Sequence, residues 1–216
     1  MKKIMKVIIT AVLIFTFPIY SNAQLKLGIK GGLNLSSLSG MVDFLKTAQG
    51  FGLELPDSYS VKYVPAFHLG IMAQYDLPSC FFLQPELFFS MQGAKEEMGN
   101  FSEISRLNFL KLPVYAGYKI KAGTGLDILF GIGPYIAYGL YATDEAYSDS
   151  GFFKRFDAGL SGMGGIQFNQ LQITVGYDLG LVDQMDANGW KTAKDILGLS
   201  PIQNRNFKLS VGYFLK

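Results

Sequence analysis

The sequence predicts an all-β protein, an eight-stranded antiparallel up-and-down transmembrane β-barrel. Three observations predict it. Apolar residues recur with a period of two in eight separate stretches, the spacing of strands with one apolar face. The connections between those stretches alternate between long and short, the rule for barrels that cross a membrane. Aromatic residues on the apolar face gather near both strand ends, where an aromatic belt meets the two membrane surfaces.

The N-terminus reads as an export signal. Lys2, Lys3 and Lys6 precede an apolar run from Val7 to Tyr20, and Ser21, Asn22 and Ala23 follow it. A basic start, a short apolar core and a small-residue exit predict cleavage after Ala23, leaving residues 24–216 as one barrel domain. The run is shorter than the ~20 residues a spanning helix requires. Losing three lysines leaves 16 basic against 17 acidic side chains. A net charge of −1 gives nucleic-acid binding no electrostatic support. Cys80 is the single cysteine, so no internal disulfide forms.

The strands follow in order. Residues 25–37 set Leu25, Leu27, Ile29, Leu33 and Leu35 against Lys26, Lys30 and Asn34. Residues 64–75 set Phe67, Leu69, Ile71, Ala73 and Tyr75 against His68, Met72 and Gln74. Residues 80–92 place Phe81, Leu83, Leu87 and Phe89 opposite Gln84, Glu86 and Ser90. In residues 105–120, Leu110, Leu112, Val114 and Tyr118 oppose Lys111, Tyr115 and Lys119. Residues 125–139 alternate Ile128, Phe130 and Ile132 with Asp127, Gly131 and Gly133. Residues 154–168 alternate Phe156, Leu160 and Ile166 with Arg155, Asp157, Ser161 and Gln167. The cleanest stretch is 171–180, with Leu171, Ile173, Val175, Tyr177 and Leu179 against Gln172, Thr174 and Asp178. The last, 206–216, carries Phe207, Leu209, Val211, Tyr213 and Leu215 between Lys208, Ser210 and Gly212. It must close on the first strand and leave no edge in lipid.

Short connections fall at 76–79, 121–124 and 169–170, and long ones at 38–63, 93–104, 140–153 and 181–204. The expected orientation puts short turns and both termini in the periplasm and long loops outside. A soluble exported barrel that binds a small apolar ligand is the alternative. It would turn its large apolar side chains inward and has no reason to alternate loop lengths.

The segments G-I-K-G-G-L-N-L-S-S-L (28–38), F-H-L-G-I-M-A-Q-Y-D-L (67–77) and N-R-N-F-K-L-S-V-G-Y-F-L (204–215) resemble the bacterial outer membrane β-barrel domain family that includes PorT and its relatives. The resemblance covers most of the mature chain and implies an eight-stranded outer-membrane barrel. It carries no catalytic signature and does not imply PorT's association with protein secretion.

Inward positions include Lys26, Lys30, Lys111, Arg155 and Lys208 with Glu86, Asp127, Asp157 and Asp178. So narrow a barrel is filled by its own side chains, and buried charges are costly unless paired. The expectation is a structural network of ion pairs, with Lys30 and Lys208 near Asp178, and no open diffusion pore. His68 is the sole histidine and faces the lumen without a nucleophile and carboxylate motif around it; no catalytic residue is assigned. One His, one Cys and scattered carboxylates give no metal-ligand spacing, and no cofactor is implied. Gly159, Gly162, Gly164 and Gly165 lie within a strand, where glycines relieve crowding rather than cradle phosphate.

The expected partners are outer-membrane lipids, the barrel assembly machinery during insertion, and a protein or surface ligand at the loops. In the first long loop Met41, Phe44, Leu45 and Ala48 keep helical spacing. In the last, Trp190, Ala193 and Leu197 do the same. Closure brings these loops together, which marks Trp190 as a loop anchor in a cap over the outer mouth. Mature protein is expected to begin at Gln24; an intact mass that retains residues 1–23 would overturn the export reading.

Overall fold

The computed structural model describes residues 24–40, 50, 59–98, 101–142, 154–185, 194–196 and 198–215. Eight strands run β1 (Gln24–Ser39), β2 (Tyr59–Asp76), β3 (Phe81–Met98), β4 (Phe101–Gly123), β5 (Leu126–Ala142), β6 (Phe156–Phe168), β7 (Leu171–Gly180) and β8 (Gln203–Phe214). Each pairs antiparallel with the next, and β8 pairs back onto β1, closing the barrel. The closing seam runs from Gly28 opposite Phe214 to Ser39 opposite Gln203. Closure leaves no strand edge, so every wall strand finds backbone partners on both sides.

The period of two decides which face is which. Outward side chains are apolar and open: Leu33, Leu69 and Ile132 are 63%, 61% and 64% exposed. Residues of the opposite parity on the same strands, such as Asn34, His68 and Leu129, are buried in the lumen. Aromatic residues on the outside mark both ends. Phe81, Tyr118, Phe168 and Tyr213 lie toward the short turns, and Phe67, Phe156 and Phe207 toward the long connections. Ala73, Tyr75 and Leu112 share the outward register and are nonetheless buried.

A soluble barrel with an apolar ligand cavity requires the reverse arrangement. Here the interior holds lysines, carboxylates and amides interleaved with Phe82, Phe88, Leu129 and Met163, while the exterior is apolar. That inversion removes the soluble alternative.

Two connections are shorter than the sequence expectation, and in the first of them β2 begins at Tyr59 rather than residue 64, with Tyr59–Tyr63 paired to Met98–Ala94. The third and fourth strands do not part at Gly93 but stay paired from Gly93–Arg106 out to Met98–Phe101. The long loop expected at 93–104 is therefore mostly strand. Its alternation is polar rather than apolar, and a search for apolar periodicity passes over it. Lys95 and Lys62 both reach Glu97, at 2.7 and 2.5 Å. Beyond the aromatic ring at this end, hydrogen bonds from Lys62 and then Lys95 hold the Glu97 carboxyl down at about 2.

The wall is uneven in height: β3, β4 and β5 span 18, 23 and 17 residues, whereas β6, β7 and β8 span 13, 10 and 12. Among the described residues no helix is long and apolar enough to cross a membrane. Residues 1–23, the 41–48 helical pattern and Trp190 lie outside the described residues.

Close strand approach fixes several lumen glycines. A Cβ on Gly133 would stand 1.7 Å from the Val114 carbonyl oxygen, and only a shift of β4 could admit it. Gly162, which faces outward, has nothing within 4 Å of that position. Gly133→Ala is expected to lower stability by about 1–3 kcal/mol, as overpacking does. Gly162→Ala is expected to be neutral or mildly stabilising, because glycine in a strand costs roughly 0.5–1 kcal/mol against alanine. Urea unfolding in phospholipid vesicles separates the two; equal losses would refute the face assignment.

Candidate functional site

The lumen is the candidate site, and strand alternation builds it: inward positions from all eight strands converge on a core too narrow for solvent. Its centre is Asp178 on β7, which is 1% exposed. Lys111 of β4 donates to Asp178 Oδ2 at 2.8 Å. Lys208 of β8 reaches Oδ1 at 2.7 Å, and the Ser161 hydroxyl donates to the same oxygen. Asn206 Nδ2 donates to Oδ2 at 3.1 Å. One carboxylate thus receives two ammonium groups, an amide and a hydroxyl. Two aromatic side chains complete the surround. Lys111 Nζ sits 3.6 Å from the Tyr135 ring centroid, and Lys208 donates to Tyr115 OH at 3.0 Å. A cation over a ring face gains from the ring quadrupole.

Toward the short turns lies a second set. Lys30 of β1 pairs with Glu86 of β3 at 2.7 Å. Gln84 Nε2 donates to the same Glu86 oxygen at 2.6 Å. Gln74 and Gln172 both donate to Gln84 Oε1, at 2.8 and 3.1 Å. Lys119 donates to Gln74 Oε1 at 2.7 Å and also to Asp76. Asp76 is shared with Lys26 at 2.8 Å.

Toward the long connections, Asp157 on β6 is fully buried and has no ion pair among the described residues. Tyr135 OH donates to Oδ2 at 2.9 Å, Gln184 Nε2 to Oδ1 at 3.1 Å and Asn204 Nδ2 to Oδ2 at 3.4 Å. Neutral donors satisfy this carboxylate in place of a cation.

The residues singled out from the sequence therefore fall as follows. Asp178, Lys111 and Lys208 meet directly. Lys30 pairs directly with Glu86, because β1 reaches β3 across the narrow lumen, and it stays within electrostatic reach of Asp178 and Lys208. Asp157 stands next to the Asp178 group through Tyr135. Asp127 is only half-buried, opposite Lys121 at the turn end, and makes no ion pair among the described residues. Arg155 is exposed and precedes β6. The strand begins at Phe156, two residues later than expected, and the Arg155 carbonyl accepts from Gly139 N at 2.6 Å.

Sequence reasoning missed the amides Gln74, Gln84, Gln172 and Gln184, and the Lys119–Asp76 pair. Alternation alone places the first three inward, but nothing in their spacing marks them as linked. Gln184 lies in a connection and carries no periodic signal.

His68 sits between Asn34 and Ser210. Asn34 Nδ2 donates to the Phe67 and Met91 carbonyls, leaving its Oδ1 to accept from His68 Nδ1, 2.8 Å away. His68 Nε2 then accepts from the Ser210 hydroxyl at 2.9 Å. The order is that of a nucleophile, a base and an orienting amide. All three side chains are buried. Ser210 is 4% exposed, and neither it, His68 nor Asn34 lines the cleft at the loop-end mouth, which is formed by Leu38, Gln92, Gly93, Ala94, Leu107, Phe109, Gln184 and Asn204. Among the described residues no group of three or more His, Cys, Asp or Glu could hold a metal ion.

A closed antiparallel barrel, apolar outside and filled with polar side chains inside, defines the class of integral outer-membrane barrels. The chain belongs to the outer membrane protein beta-barrel domain family, which it matches over residues 20–186. No curated protein matches it. Among solved structures, OprG from Pseudomonas aeruginosa is 12% identical with a TM-score of 0.48, over 89% of this chain and 97% of that one. Neisserial surface protein A is 8% identical with a TM-score of 0.48, over 88% and 97%. The solution structure of the E. coli outer membrane protein W is 12% identical with a TM-score of 0.41, over 90% and 100%.

Asp178→Asn is expected to cost about 3–5 kcal/mol, because two buried ammonium groups lose their counter-charge. Replacing Lys30 and Glu86 together by Met and Leu is expected to cost far less than either single change, since no buried charge is left alone. Denaturant unfolding of the four variants in vesicles measures both differences.

Proposed function

We propose that the protein is a non-enzymatic integral outer-membrane barrel with an occluded lumen. Its long connections face the exterior, where they engage a protein or surface ligand or contribute to envelope structure. The start of β1 and the end of β8 face the periplasm. The observation that carries this reading is the inversion of the two faces. The exterior is an apolar belt bounded by aromatic residues, and the interior is closed by ion pairs and amides. Such a wall fits lipid, and such a core serves neither diffusion nor turnover. Kinship with PorT within the family rests on the three strand segments quoted above. The lipids of the outer membrane and the machinery that inserts barrels are the partners this reading requires.

Three measurements test it. Protein should stay in carbonate-washed outer membranes, and purified protein in planar bilayers should show no steady open-channel conductance. Lys62, 58% exposed by its side chain at the loop end, should react with a membrane-impermeant amine reagent on intact cells, and Lys121 at the turn end should not. Release by osmotic shock would overturn the membrane assignment, steady conductance the occluded lumen, and Lys121 labelling the orientation.

A further inference from the structure

The low side of the wall, at β6, β7 and β8, is where the lumen would stand open. Residues 181–185, leaving β7, fold inward across that side instead of projecting away. Three bonds of Gln184 help hold them. Gln184 N donates to the Ile202 carbonyl at 2.8 Å, and the Gln184 carbonyl accepts from Lys154 N at 2.7 Å. Gln184 Nε2 reaches down to Asp157 Oδ1 at 3.1 Å. Asp183 secures the same turn from the other side, with Oδ1 accepting from Ile202 N at 3.2 Å and Oδ2 paired with Lys194 at 3.0 Å. Gln184 and Ile202 are 2% and 0% exposed, so this connection is packed and not draped.

What lies below makes the fold-over consequential. Asp157 is joined through Tyr135 to Lys111, and so to Asp178 and Lys208. The mouth cleft reaches from Leu38, Leu107 and Phe109 across to Gln184 and Asn204, and admits no more than a water-sized group. Gln184 is the one residue of that lining which no barrel strand supplies.

We propose that residues 181–185 form a strap that seals the loop-end mouth of the lumen, tied to Asp157 through Gln184. Its release admits water and small polar solutes to Tyr135, Lys111 and Asp178. The strap belongs to the fold, and it stands whichever way the barrel is oriented in the membrane. An uncharged amide is suited to the tie. It satisfies a buried carboxylate without an ion pair, so the bond can open without stranding a cation.

The test uses the full chain in detergent micelles with Cys80→Ser as background and a small cationic methanethiosulfonate as probe. Ala137→Cys reports on the mouth, since Ala137 pairs with Asp157 and is 3% exposed. Leu129→Cys reports on the lumen toward the turns, where Leu129 is 0% exposed. With the strap intact both positions should label slowly. Gln184→Met, which keeps shape and removes the amide, should speed labelling at position 137 at least tenfold and leave 129 unchanged. Combining Asp157→Asn with Gln184→Glu reverses donor and acceptor, and should restore slow labelling at 137. Fast labelling with the native strap, or no change with Gln184→Met, overturns the strap as the seal. Faster labelling at both positions means the whole barrel has loosened, and overturns it as a local device. Failure of the reversed pair to restore slow labelling overturns Asp157 as the tie.

Discussion

Closure of β8 onto β1 is the constraint on which the rest depends. In hydrocarbon a backbone N–H or C=O has no water to turn to, so an open sheet edge is excluded. β8 meets the requirement on both sides, pairing with β1 from Phe214 to Gln203 and with β7 from Tyr213 to Arg205. Closing only eight strands forces strong curvature and brings inward positions of adjacent strands together. Gly32, Gly70, Gly133, Gly159 and Gly165 all face the lumen. A Cβ on any of them would lie 2.0 Å or less from a carbonyl oxygen of the neighbouring strand. The glycine content of the chain is in this sense a consequence of its radius.

A narrow lumen then dictates its electrostatics. Charges shut inside so small a space cannot be solvated, and each group must be close to neutral by itself. The inward groups sort that way: Lys30 with Glu86; Lys26 and Lys119 with Asp76 and, nearby, Asp127; Lys111 and Lys208 with Asp178 and the adjacent Asp157. The amides Gln74, Gln84 and Gln172 bridge the first two sets. This pattern favours a single packing of the core more than it favours stability, since buried ion pairs rarely outperform apolar residues of the same volume.

How much of this was legible in the sequence follows from which signals are local. Facing along a strand is local, and Leu27, Lys30, Lys111 and Asp178 could be placed on their faces from alternation alone. Partner choice is not local. It depends on the stagger between strands, which a period of two leaves free, and so Lys30 was placed near Asp178 without its direct partner, Glu86. The β3–β4 hairpin was cut short because its outer half alternates in charge, not in hydrophobicity. Arg155 was drawn inward because the parity of β6 was extended one residue past its start. Gln184 gave no signal at all, because a residue in a connection acquires its role only from where the connection folds.

The uneven wall links these levels. Strands β3 to β5 stand high because polar pairs, such as Lys62 and Lys95 with Glu97, let the sheet continue past the apolar belt without burying anything. β7 ends at Gly180, where a Cβ would meet the Asn204 backbone at 2.8 Å and the Tyr135 hydroxyl at 3.2 Å. A side chain there would collide with the donors that surround Asp157. The glycine therefore lets the chain turn in over the low side of the barrel, and Gln184, four residues on, arrives within reach of that carboxylate. Strand length, glycine placement and a buried carboxylate without a cation are thus one arrangement, in which the connection leaving the shortest strand supplies the residue that reaches over the lumen.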